Sequence, residues 1–395
     1  MFMQNIKQNI CLMFGGKSVE HDISILTGIQ ALCAMDKTKY NVFAVYVSKG
    51  GEFFCVPNSV SASDFINVDK LKKVFEPICF LPSDNAIYKM DKNRKKLKRL
   101  GIIDAVIVAM HGQNGEDGSV SGLLQLANIP YSCCGVVSSA ICMDKAYTKD
   151  IFRAGGFKTM PYYVLREKDF EDGRDKNIKS AIKKLGLPII VKPSCLGSSI
   201  GISSCENERE LIDGIELALK FSDKVVLEKM LTNFVEVNCS AMGTLKEVEI
   251  SECEQPIAMK DFLSFEDKYL VGTQKNIHSS KSVQKMKRKL DISDSLVEKI
   301  KKLTKELYIC FDCKGVVRVD YMVERETNNI YVNEINTIPG SLAYFLWQRD
   351  GCGFDTFIDR LIELAKKTHT SNETKLSSFA SSVLESGSGA KMRKK

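Results

Sequence analysis

The stretch Gly315–Gly340 reads GVVRVDYMVERETNNIYVNEINTIPG. Two alternating, β-branched runs flank Glu326-Thr327-Asn328-Asn329, which has turn chemistry, and that combination signals a hairpin. Side chains on a strand alternate between faces. Arg318 and Asp320 therefore share one face, with Val317, Val319 and Tyr321 on the other. On the second strand Glu334 and Asn336 share a face, opposite Asn333 and Ile335. If the polar faces coincide, Asp320, Glu334 and Asn336 offer three oxygen ligands with Arg318 beside them. Hard oxygens of this kind suit Mg²⁺, which takes one or two carboxylates plus phosphate oxygens. The bland alternative is a solvated polar face. Matched polar positions on two adjacent strands, closed by Thr-Ile-Pro-Gly, weigh against it.

Other loops say what such a cation would hold. Pro188–Gly201 reads PIIVKPSCLGSSIG, a strand ending at Lys192 and then a small-residue loop with Gly197, Ser198 and Ser199. Backbone N–H groups and hydroxyls of such a loop can cradle phosphates while the lysine supplies charge. A plain hairpin turn is the rival reading, and the lysine precedes the glycine, so this is not a Walker A loop. Lys145 opens a helix, where the dipole disfavours a cation unless an anion lies nearby. Val226–Leu231 is a strand whose backbone could meet a base edge, with Glu236 placed for ribose hydroxyls. An ordinary edge strand would look the same.

The elements that must position these residues follow a regular plan. Ile10–Phe14 is a short apolar run followed by Gly15-Gly16-Lys17-Ser18 and a helix that Ser18 can cap, with Ile25, Leu26, Ile29 and Leu32 on its apolar face. Asn41–Val47 is the next strand. Ile102–Met110 is a buried parallel strand running into His111-Gly112 and Gly115-Glu116-Asp117-Gly118. Ligands collect at the carboxyl ends of strands in open α/β sheets. Residues 1–143 therefore form a doubly wound parallel-sheet domain. Between 50 and 100 only loops, a strand near Ala86–Met90 and a basic helix suggest themselves. A helix from Met143 to Ala154 follows, then a small α+β unit: strands Tyr162–Leu165, Pro188–Lys192, Ile200–Cys205 and Val225–Met230, and helices Asn177–Leu185 and Glu208–Phe221. Strands Val235–Thr244 and Glu247–Glu254, a long polar segment at 259–284, helix Ser293–Leu307 and the hairpin come next. Helix Phe354–Lys366 closes the fold, and the Ser-, Gly- and Lys-rich residues from about 368 have the composition of a disordered tail.

At 395 residues the chain has room for two or three domains. Its net charge of +7 comes from lysine clusters that read as solvated helix faces, and no nucleic-acid-binding motif accompanies them. No secretory leader or membrane span is expected, and the 14 cysteines read as free thiols of a reducing cytoplasm. Cys310-Phe311-Asp312-Cys313 lacks a partner pair, so zinc is not expected.

Together the motifs resemble the D-alanine–D-alanine ligase family of the ATP-grasp superfamily, from Phe14 to about Phe354. The residues that carry the likeness are Gly15–Glu20, His111–Gly118, Met143-Asp144-Lys145, Val191-Lys192-Pro193 with Gly197–Gly201, Arg318-Val319-Asp320 and Asn333–Gly340. The resemblance implies a two-part ATP-grasp fold: a central subdomain at 144–230, a C-terminal subdomain at 231–370 with a lid at 259–284, and a tail at 371–395. It implies ATP and two Mg²⁺ ions as cofactors, with Mn²⁺ able to substitute, and D-alanine as substrate. It also implies a cytoplasmic homodimer serving peptidoglycan synthesis, with no nucleic-acid or membrane partner. Glu20 would bind the first substrate's ammonium and join Ser198 and Tyr269 in a hydrogen-bonded set. Lys145, Lys192, Ser198, Ser199 and the lid's Lys268 would hold phosphates. Glu228 and Glu236 would flank adenine and ribose. Asp320, Glu334 and Asn336 would hold metal, and Arg318 with the Gly340 N–H would stabilise the oxyanion.

The chain leaves the family pattern in two places. Many members carry Ser-Leu after four residues beyond Pro-Gly, and that serine is thought to bind the second substrate's carboxylate. Here the matching position is Phe345, with Ser341 as a substitute from elsewhere. Glu20 is followed by His21-Asp22 rather than Arg-Glu, and a structural His21 is the preferred reading. Lys268-Tyr269 matches members that use an amine as second substrate. Two rivals stand beside D-alanine ligation: a ligase with another second substrate such as D-serine, and an ATP-binding module without catalysis. The intact set of lysines, Arg318, Asp320, Glu334 and Asn336 speaks against the latter.

Overall fold

The computed structural model describes residues 7–67, 75–91, 93–256, 290–348 and 352–374. Ile10–Phe14 is withdrawn entirely from solvent. A run buried on both sheet faces must be apolar at every position. It is the middle of β1 (Gln8–Gly15), followed by α1 (His21–Ala34), β2 (Tyr40–Val47), β3 (Phe53–Val56), β4 (Glu76–Leu81), β5 (Asp84–Met90), β6 (Leu97–Ile102) and β7 (Ala105–Ala109). These strands form one sheet in the order β6-β5-β4-β3-β2-β1-β7. Phe14 is registered against Tyr46 of β2 and Ala109 of β7, both parallel. The loops leaving β1 and β7 therefore emerge side by side.

The parallel, helix-covered arrangement is confined to β2, β1 and β7. Strands β3–β6 extend it antiparallel. The lysine cluster at 93–99, read as a solvated helix face, is instead a turn and the start of β6. That strand is the sheet's edge, and lysines and arginines on an edge keep it from pairing with other chains. The apolar run at 102–110 divides accordingly, with Ile102 ending β6 and β7 beginning at Ala105. Ser18 does not cap α1. Glu20 holds that position, and Ser18 Oγ accepts the Glu20 N–H at 3.1 Å.

The chain continues through α2 (Ser119–Leu126), α3 (Val136–Met143), α4 (Lys145–Ala154), β8 (Tyr162–Arg166), α5 (Glu167–Leu185), β9 (Ile189–Pro193), β10 (Ser203–Cys205), α6 (Glu208–Leu219) and β11 (Lys224–Lys229). Helix α5 starts ten residues before the expected Asn177 and breaks at Gly173. The four strands form an antiparallel sheet, β10-β9-β11-β8, and α5 and α6 cover it with Ile178, Ala181, Leu211 and Ile215. A third sheet, β13-β12-β14-β15, is built from β12 (Phe234–Gly243), β13 (Val248–Glu254), β14 (Gly315–Glu324) and β15 (Ile330–Asn336), with α7 (Asp294–Cys310) on its apolar face. The closing helix α8 (Phe354–Glu373) extends beyond its expected end, so residues 368–373 are helical. It packs on the first sheet, where Asp359 accepts from Lys39 Nζ and Tyr40 OH, each at 2.7 Å. No disulfide forms among the described residues.

Tyr308 of α7 ties the third sheet together. Its buried hydroxyl donates to the Gly243 carbonyl at 2.7 Å and lies 3.0 Å from that of Gly315, the two residues paired at the end of the β12–β14 ladder. Removing one hydroxyl would strand two buried carbonyls. Tyr308→Phe is expected to lower stability by about 1–3 kcal/mol. Urea denaturation should show the midpoint falling with an unchanged slope.

Candidate active site

The expected hairpin is β14–β15, with Arg318 registered against Asn336 and Asp320 against Glu334. Arg318, Asp320, Glu334 and Asn336 thus share one face. Asp320 is buried and fully engaged: Arg318 donates to it twice, Nε to Oδ1 at 2.6 Å and Nη2 to Oδ2 at 2.7 Å, and Asn336 Nδ2 donates to Oδ2 at 3.1 Å. Lys145 Nζ lies 3.8 Å from Glu334. A bulge interrupts the ladder just past this pair, because Tyr321 is opposite Val332 rather than Asn333. Val332 and Ile335 both enter the core with two polar residues between them. Strict alternation assigned Asn333 to the face opposite Glu334. The bulge re-aims it, as bulges do next to active sites, and it meets Lys192 Nζ at 3.2 Å.

The anion side of the site is assembled around Asp144. Its side chain caps α4 by accepting from the Ala146 and Tyr147 N–H groups. It also accepts from Ser194 Oγ at 2.7 Å and Lys224 Nζ at 2.6 Å. Burial pushes its carboxyl up, but the Lys224 and Ser194 bonds more than reverse this and leave it below the usual range. The cap pins the start of the small-residue loop to the start of α4, where Lys145 N donates to the Ser194 carbonyl at 2.9 Å. Lys145 Nζ then reaches the Leu196 carbonyl at 2.5 Å. Ser198 and Ser199 both take left-handed backbone angles in this loop.

Behind the loop lies a buried charge cluster that the sequence did not disclose. Lys149, one turn after Lys145, is 1% exposed. Its ammonium is 3.2 Å from Glu228 Oε1 and 2.8 Å from Thr159 Oγ1. Lys192 donates to Glu228 Oε2 at 3.0 Å. Burial pushes the Glu228 carboxyl up, and the two ammoniums outweigh it, so the group lies below its usual range. Burial also lowers Lys149, because its one acid is shared with a second cation. Sequence spacing could have hinted at this, since Lys145 and Lys149 lie four apart on one helix face.

The first sheet contributes the other wall. Ser198 Oγ donates to Glu20 Oε1. A Cβ at Gly112 or Gly197 would lie 2.5 or 2.7 Å from Glu20 Oε2, so both positions need glycine for the loops to close on this carboxylate. Glu116 accepts the Gly112 N–H at 2.8 Å and the Ile338 N–H at 3.1 Å. Burial, then the Glu20 charge, raises its carboxyl above the usual range. His111 bonds the Ile338 carbonyl through Nδ1 at 2.7 Å and Thr27 Oγ1 through Nε2 at 2.8 Å. Thr27 also accepts the Ser341 N–H at 3.2 Å. Three residues of the first domain thus bracket the turn that carries Gly340. His21 is structural: it is buried between the Gly16 carbonyl (2.6 Å) and Tyr46 OH (3.2 Å).

The family model described as D-ala D-ala ligase N-terminus matches residues 9–134, and that described as D-ala D-ala ligase C-terminus matches 151–363. The chain belongs to the D-alanine–D-alanine ligase family. It is 36% identical to the D-alanine–D-alanine ligase of Thermosipho melanesiensis, over 90% of this chain and 93% of the relative. It is 34% identical to that of Clostridium novyi, over 91% and 98%. Among solved structures, the D-alanine–D-alanine ligase of Coxiella burnetii superposes with a TM-score of 0.74 at 26% identity, covering 93% of this chain and 96% of that one. The Helicobacter pylori ligase gives 0.71 at 27%, covering 90% and 98%.

Glu20 and Ser198 meet, Lys145 meets Glu334, Lys192 meets Glu228, and Arg318, Asp320 and Asn336 form one bonded set. Glu236 lies on the Asp320 face of β12, opposite Met322, and Gly340 opens the turn bracketed by His111 and Glu116. Lys268, Tyr269 and the expected lid fall outside the described residues. The sequence reading assigned no role to Thr27, His111, Glu116, Asp144, Lys149 or Asn333. His111 and Glu116 were marked only by the polar, glycine-rich loop after β7, Asp144 and Asn333 only by lying in motifs, and Thr27 and Lys149 by nothing. Among the described residues no group of three His, Cys, Asp or Glu side chains could hold a metal. The donor set is two carboxylates and an amide, a composition that fits Mg²⁺ completed by phosphate oxygens. In this structure Arg318 and Lys145 supply the positive charge those carboxylates need.

Burial lowers His111 to about 4. As pH falls below about 6.5 the unfolded chain takes up a proton that the folded chain refuses, so stability is lost between about 6.5 and 4. His21 is lowered in the same sense and contributes its own share. In His111→Gln, the stability lost between pH 7 and pH 5 should shrink by about 2 kcal/mol. Urea melts of both proteins at the two pH values check this.

Proposed function

We infer that the chain is an ATP-dependent ligase that joins two D-alanine molecules into D-alanyl-D-alanine. The observation that carries this reading is the convergence of three surfaces: the Glu20–Ser198 contact, the Lys145 and Lys192 ammoniums, and the Asp320–Glu334 face with Arg318. A site for amino acid, nucleotide and cation in one place suits carboxylate activation by phosphoryl transfer.

Each chemical step has a candidate. A carboxylate is a poor electrophile, so the γ-phosphoryl group is moved onto it first, giving an acyl phosphate. Lys145 and Lys192 hold the phosphates in line and offset their charge. Mg²⁺ at Asp320, Glu334 and Asn336 would neutralise charge on the transferred group. Glu20, fixed against Ser198, takes the first substrate's ammonium and sets its carboxylate toward the phosphates. Glu228, its carboxylate held by Lys149 and Lys192, would flank the adenine, with Glu236 near the ribose. The second amine then attacks and phosphate departs. Arg318, its guanidinium plane set by Asp320, and the Gly340 N–H stabilise the oxyanion. The acyl phosphate hydrolyses readily, so water must be kept from it; the segment 259–284 expected to do so, with Lys268 and Tyr269, lies outside the described residues. The setting proposed for the enzyme is a cytoplasmic homodimer feeding cell-wall synthesis.

Purified protein with ATP, Mg²⁺ and D-alanine should release ADP and phosphate and give the mass of D-alanyl-D-alanine. A mixed product when D-serine is added would move the second substrate, and nucleotide binding without turnover would sink the ligase reading. Arg318→Ala should bind ATP almost as well while turnover falls roughly 10²–10³-fold. Unchanged turnover would remove Arg318 from oxyanion stabilisation.

A further inference from the structure

Asn238 stands directly beside the cation face, and nothing so far gives it work. The register places it opposite Asp320 of β14 and opposite Glu254 of β13, while Asp320 is opposite Glu334 of β15. Residues directly opposite in antiparallel pairs point to the same side of the sheet. Glu254, Asn238, Asp320 and Glu334 therefore form one row of oxygen-bearing side chains across four strands. The next row runs Ser240, Arg318, Asn336, and there Ser240 Oγ is satisfied, donating to the Val317 carbonyl at 2.8 Å and accepting from Trp347 Nε1 at 3.0 Å.

Asn238 is different. It is only 7% exposed, and its Oδ1 is buried with no hydrogen-bond partner among the described residues. Its neighbour Asp320 cannot help, because a carboxylate has no proton to donate and its own oxygens are already taken by Arg318 and Asn336. A buried carbonyl oxygen left without a donor is costly and rare enough to need a reason. An acceptor-only atom beside two carboxylates asks for positive charge. Amide oxygens are ordinary ligands of hard divalent cations, which fill their shells from several strands or loops at once.

We propose that Asn238 Oδ1 is a further protein oxygen of the divalent-cation site, contributed from β12 to stand alongside Asp320, Glu334 and Asn336. This rests on the reading of the β14–β15 face as a cation site. The added oxygen brackets the cation from both sides of Asp320. It also makes β12, which carries Glu236 two residues earlier, common to the ribose and cation ends of the nucleotide.

The test is direct binding. Mn²⁺ is titrated into the full chain in the presence of a saturating non-hydrolysable ATP analogue, and free Mn²⁺ is read by its EPR signal. Asn238→Ala should weaken Mn²⁺ binding about tenfold or more, and Asn238→Asp should restore or tighten it. Asp320→Asn serves as the reference. If it leaves Mn²⁺ affinity unchanged, the cation site itself is misplaced and the proposal falls with it. If Asp320→Asn weakens binding while Asn238→Ala does not, this proposal alone is overturned.

Discussion

The arrangement depends on one buried carboxylate shared by two lysines. Glu228 would be expensive to keep ionised away from water. Lys149 on one side and Lys192 on the other make it affordable and hold its carboxyl below the usual range. The same contacts join two sheets. Lys192 passes from Glu228 in the second sheet to Asn333 in the third. Lys149 bonds Thr159, whose hydroxyl donates to the Val332 carbonyl at 3.0 Å. Both routes end on neighbouring residues of β15, at the bulge. The bulge is what makes this geometry available, because it turns Asn333 toward Lys192 without removing Val332 or Ile335 from the core.

A second constraint fixes the turn after Pro339 from the opposite side. Ser341, Leu342 and Ala343 all hold left-handed angles, with φ of 49°, 52° and 53°. For residues with a Cβ this costs roughly 1–2 kcal/mol each. Burial offsets it: Leu342, Leu346 and Trp347 enter the first sheet's core, and burying a large apolar side chain gains about 1.5–3 kcal/mol. Thr27, His111 and Glu116 then hold the turn by its backbone. The first sheet thus does more than carry Glu20. It also sets the strained turn that follows Pro339.

Much of this was legible because it is local. The β14–β15 hairpin follows from period-two alternation and four turn residues, and α6 from a clear apolar stripe. Legibility ends where tertiary context decides. The alternation rule cannot see a bulge, so Asn333 was assigned the wrong face. Leu97–Ile102 carries the lysine and arginine of a protected sheet edge, a pattern that resembles a solvated helix. Lys149 resembles any helical lysine until Glu228, almost eighty residues later, folds against it. Thr27 and Glu116 act on backbone groups more than two hundred residues away, and no spacing announces that. Asn238 was hidden for a related reason: its significance lies in which residues stand abreast of it across four strands.

The turn at 341–347 is also where the chain departs from its family, and the physics of the two facts is connected. A serine hydroxyl at position 345 could bind a carboxylate only from a flexible or correctly aimed backbone. Here the backbone is neither loose nor ordinary. The Tyr344 ring stacks on Phe354 with centroids 4.2 Å apart, Trp347 is bonded to Ser240, and the left-handed turn reverses the direction in which successive side chains and N–H groups point. Phe345 thus sits in a turn whose backbone is held on both sides. On the ligase reading proposed above, recognition of a second carboxylate would fall to Ser341 and main-chain donors rather than to the side chain at 345.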